Sequence, residues 1–64
     1  MTGGSAYYEA VTAADARLQA ALASLRDRQD AGEVTARQAA DERIALLEGH
    51  LAECQRLRRE HLGG

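Results

Sequence analysis

The chain has one obvious break, Asp30-Ala31-Gly32-Glu33-Val34-Thr35, set close to the midpoint of its 64 residues between two long stretches without proline. Proline removes an amide donor and clashes with the preceding helical turn. Its absence, beside fourteen alanines and eight leucines, lets helix propagate on both sides of the break. Gly32 can take the positive φ that ends a helix. Thr35-Ala36-Arg37-Gln38 has capping-box spacing, in which the threonine oxygen accepts from the Gln38 amide while the glutamine reaches back to the amide of Thr35. Val34, just before the cap, can pack toward Ala39 as a hydrophobic staple.

A link this short makes the two helices neighbours that run in opposite directions. The expected fold is all-α: an antiparallel two-helix hairpin over residues 6–62 with its turn at 31–35, flanked by flexible residues 1–5 and 63–64. Ser5 is the preferred cap of the first helix, and Thr12-Ala13-Ala14-Asp15 is a rival capping box that would start it later.

Such a hairpin is marginal alone. Below about 70 residues one hydrophobic core rarely suffices, and this chain has no phenylalanine or tryptophan to enlarge it. The single cysteine, Cys54, excludes an intrachain disulfide and fits a reducing compartment. Arg, Asp or Gln interrupts every apolar run, so neither a membrane span nor a signal peptide is expected and the localisation inferred is cytoplasmic. Company must then come from another chain, and association into a four-helix bundle is the arrangement that buries two apolar stripes together.

The heptad pattern names the stripes. In the first helix Tyr8, Val11, Asp15, Leu18, Leu22, Leu25 and Gln29 alternate at steps of three and four, with Ala14 and Ala21 alongside. In the second, Ala40, Ile44, Leu47, Leu51 and Cys54 continue the alternation, Arg58 and His61 take the next slots, and Leu57 and Leu62 widen the flanks. The expected interface residues are therefore Tyr8, Val11, Leu18, Leu22, Leu25, Ile44, Leu47, Leu51, Cys54 and Leu57. Folding the chain about Gly32 and Glu33 brings Leu22 near Ile44, Leu18 near Leu47, Val11 near Cys54 and Tyr8 near Arg58. It also sets the misfit acid Asp15 near His50, as a polar device that fixes register or as a sensing pair.

Other chemistry is thinly represented. His50, Cys54 and His61 share a helix face and are the candidate metal ligands, without the dense spacing of recognised zinc sites. Ser5 and Ser24 have no His/Asp constellation and no glycine-rich phosphate loop occurs, so no enzymatic activity and no cofactor are expected. The formal charge of −2 with no lysine disfavours nucleic-acid binding, for which the Arg56, Arg58 and Arg59 cluster is the one candidate.

The segment Leu22-Ala-Ser-Leu25, followed by Arg26-Asp-Arg-Gln-Asp-Ala-Gly32-Glu-Val-Thr35 and a helix reaching Leu46-Leu47, resembles the short C-terminal oligomerisation domains abbreviated SHOCT. The resemblance covers residues 18–47 and rests on the leucines, the Gly-hydrophobic-Thr turn and the paired leucines. It departs where that family places an acidic-acidic-aromatic run, since Ala36-Arg37-Gln38-Ala39 stands there, and the second helix runs well past Leu47. It implies self-association or regulation.

The functional expectation is a non-enzymatic protein-protein interaction module, a homodimer or a hairpin docked on a helical regulatory partner. The alternatives are a metal- or small-ligand-sensing bundle and weak nucleic-acid binding through the arginines.

Overall fold

The computed structural model describes residues 3–63, and side chains from Ser5 to Gly63. Two helices, α1 (Gly3–Asp30) and α2 (Ala36–His61), pack against each other as an elongated slab whose Cα trace measures 48 × 15 × 8 Å. Neither helix is long and apolar enough to cross a membrane.

The junction follows the local chemistry of its residues. Gly32 has φ +78°, its amide donates to the Gln29 carbonyl at 3.0 Å, and the Glu33 amide donates to Arg28 at 2.9 Å. These two bonds make a Schellman motif, which satisfies carbonyls that the end of α1 would otherwise leave open. On the far side the capping box is complete: the Gln38 amide donates to Thr35 Oγ1 at 3.0 Å, and the Thr35 amide donates to Gln38 Oε1 at 2.9 Å. Val34 is half-buried next to it, and Ala39, one turn into α2, is fully enclosed.

The start of α1 differs from expectation. The helix begins at Gly3 and runs unbroken through both proposed caps, so Ser5 is interior and its hydroxyl lies 3.5 Å from Glu9 within the helix. Thr12 and Asp15 lie in the middle of continuous helix for the same reason: six alanines between Ala6 and Ala20 favour propagation over termination. The expected flexibility of residues 1 and 2 and of Gly64 falls outside the described residues. The amides of Leu62 and Gly63 both donate to the Arg58 carbonyl and close α2.

The core is narrow. Ala14, Leu25, Ala39 and Leu57 are its buried side chains, with Val11, Leu18, Leu22 and Leu46 half-buried around them. On α1 the expected stripe holds for Val11, Leu18, Leu22 and Leu25, but Tyr8 is 70% exposed. Tyr7 takes the inward place instead, its ring 6.2 Å from that of His61.

On α2 the correction is larger. Ile44, Leu47 and Leu51 are 55%, 46% and 59% exposed, so the pairings of Leu22 with Ile44 and of Leu18 with Leu47 do not form the core of the helix pair. Ala39, Leu46 and Leu57 face α1 in their place, and Leu57, expected as an interface residue at the flank of the stripe, is among the best buried residues. The helix is rotated by about one residue, or roughly 100°, from the expected seam.

Candidate interaction surface

Helix α2 carries two heptad stripes side by side. The first runs through Ala39, Leu46, Glu53 and Leu57 and meets α1; the second runs through Ala40, Ile44, Leu47, Leu51 and Cys54. At about 100° per residue the two centres lie roughly 110° apart around the helix, so a helix covering one leaves the other open. Cys54 and Ala40 are half-buried at the two ends of the open stripe, and its three large residues in between are exposed.

Polar groups cross between the helices on either side of the core. His50 Nε2 is 3.1 Å from Asp15 Oδ1, as the turn register predicts, and 3.5 Å from Cys54 Sγ one turn along α2. The histidine side chain is 20% exposed and the aspartate 61%, so the pair sits at an edge rather than in the interior. His50 Nδ1 is buried and has no hydrogen-bond partner. On the opposite edge Arg17 pairs with Glu53, and Arg28 reaches both oxygens of Glu42 at 3.3 Å. These ion pairs escape sequence reading because each joins residues far apart in the chain whose alignment depends on the rotation of α2.

Ala45 and Gly49 lie on the Glu53 side of α2. With Ala14, Leu18 and Ala21 they line a shallow groove of about 320 Å³, bordered by the Arg17–Glu53 pair. An added Cβ on Gly49 would meet nothing within 4 Å. The exposed large apolar side chains Ile44, Leu47 and Leu51 lie on the other side of α2.

The metal candidates are only partly assembled. His50 and Cys54 adjoin, but His61 stacks toward Tyr7, and among the described residues no group of three His, Cys, Asp or Glu side chains is placed to hold a metal ion. In the arginine cluster, Arg56 is engaged by Glu53 at 3.7 Å and Glu60 at 3.1 Å, leaving Arg58 and Arg59 exposed. Tyr7, Leu51, Cys54, Gln55 and Arg58 line a hollow of about 290 Å³ at this end.

The surface thus defined is that of a small helical protein with an unpaired apolar helix face. No protein family, curated protein or solved structure matches the chain.

Proposed function

We propose that this chain is a non-enzymatic interaction module of the cytoplasm that acts by self-association, two antiparallel helical hairpins packing as a four-helix bundle in a regulatory setting. The observation that carries this reading is the open stripe on α2, where Ile44, Leu47 and Leu51 remain about half exposed. Apolar area of that kind, ordered along one helix, is favourable to remove from water at about 25 cal/mol per Å².

The cross-helix contacts support the antiparallel arrangement, because Arg28 near the end of α1 meets Glu42 near the start of α2, while Asp15 meets His50 farther from the turn. The dimensions support association. The accessible surface is 4705 Å², against roughly 4000 Å² for a folded monomer of this mass. The resemblance to SHOCT domains points the same way, since it implies oligomerisation.

Sedimentation equilibrium across micromolar to millimolar concentrations tests the proposal. The expected result is a mass of twice 6.9 kDa at the upper end of the range. A monomer at every concentration, with a sharp thermal transition, would refute it.

A further inference from the structure

Resting on the self-association reading, but with the two α1 helices on opposite flanks of a central helix pair rather than closing a four-helix bundle, we infer that the partner on the open α2 stripe is a second copy of α2, aligned parallel and in register, with Cys54 facing Cys54 across the two-fold axis. Taking Ile44 as heptad position a, the stripe places Ile44, Leu51 and Arg58 at a and Ala40, Leu47 and Cys54 at d. Among parallel assemblies, a β-branched residue at a with leucine at d favours two strands over more, and the central Ile44-Leu47 step has that composition.

The flanking charges discriminate between orientations. Arg43 falls at g and Glu48 at e; both are exposed, and neither makes an ion pair among the described residues. In a parallel pair, position g of one helix approaches e of the next heptad on the other, so Arg43 meets the partner's Glu48 and the symmetry repeats the contact. An antiparallel pair centred on Leu47 would instead bring Glu48 beside the partner's Glu48, and Arg43 toward the partner's His50. Like charges then oppose one another. Helix α1 does not obstruct either arrangement, because it covers the stripe roughly 110° away.

Apolar residues occupy the stripe from Ala40 to Cys54, and Arg58 at the next a position ends it. Two heptads of contact make a weak, reversible dimer rather than an obligate one, and place the only thiol at its last d layer.

That thiol reports the orientation. In the parallel pair the two Cys54 Cα atoms fall within disulfide reach, about 7 Å at most; in the antiparallel pair centred on Leu47 they are separated by fourteen residues along the axis, about 21 Å. The full chain, at concentrations where sedimentation shows dimer, is oxidised with copper phenanthroline and run on a non-reducing gel, with Cys54→Ser as control. Rapid, near-complete conversion to a reducible dimer is expected. In parallel, Arg43→Glu should weaken dimerisation roughly fivefold, and adding Glu48→Arg should restore it.

A dimeric mass with no faster cross-linking than in denaturant overturns the parallel seam and leaves self-association standing. Failure of the double charge exchange to restore affinity does the same. A monomer at all concentrations overturns both readings.

Discussion

His50 shows how a single side chain in this protein combines two effects of opposite sign. Its Nε2 faces Asp15, a contact worth little because the carboxylate is mostly in water, while its Nδ1 is buried without a partner. An unsatisfied buried polar atom costs more than an exposed ion pair returns. Asp15→Ala is therefore expected to change unfolding free energy by no more than about 0.5 kcal/mol, whereas His50→Leu should stabilise by about 1 kcal/mol. Urea unfolding of both variants at one protein concentration checks the pair, and destabilisation by His50→Leu would contradict the assignment. Leu25 is the opposite extreme, 2% exposed at the centre of the core. Its truncation to alanine should cost about 2–5 kcal/mol, enough to abolish the helical circular-dichroism signal of a fold this small.

At the scale of elements, the junction owes its boundaries to Gly32, Thr35 and Gln38, and the helices their rotation to packing. Gly32 sits at φ +78°, where a Cβ is strained even in open space, so Gly32→Ala should destabilise by about 1 kcal/mol. Thr35→Ala removes the reciprocal bonds with Gln38 and should cost about 1 kcal/mol as well. Gly49 behaves in reverse: its site is helical and open, so Gly49→Ala should stabilise by about 1 kcal/mol and raise the melting temperature by about 4–8 °C. Gly49 also lies on the groove side of α2, away from Leu47. Gly49→Ala should consequently leave the dimer constant unchanged in sedimentation, while Leu47→Glu should abolish association and keep the monomer helical.

The whole molecule is long and thin for a chain of its length. Its Cα radius of gyration is 14.8 Å, against about 11 Å for a compact chain of this length. Among the described residues four apolar side chains are buried along a slab 48 Å long, and three of the largest hydrophobic residues of α2 lie outside. If a second copy covers them, folding and association are linked, and mass action stabilises the folded state. The thermal midpoint should rise with protein concentration, and Leu47→Glu should remove that dependence. A midpoint independent of concentration in the parent chain would show that the open stripe contributes nothing to stability.

Much of this architecture was legible in the residues alone. The Schellman glycine, the Thr35–Gln38 box and the absence of proline are local determinants, acting through bonds within a few residues of one another, so they specify both helices and the turn before any packing occurs. The approach of Asp15 to His50 follows from the turn as well, because a short link fixes axial register. What the sequence left open was the rotation of α2 about its own axis. Leu46 and Leu47 are adjacent, and each belongs to an apolar heptad stripe; the more continuous one, Ala40 to Cys54, is the better seam by composition. The tertiary structure chose the other. With Ala39, Leu46 and Leu57 turned toward α1, Ala39 and Leu57 are buried, and Arg28–Glu42 and Arg17–Glu53 form at the edge, gains that depend on both helices at once. The stripe that looked like the core was thereby turned outward to become the candidate interface.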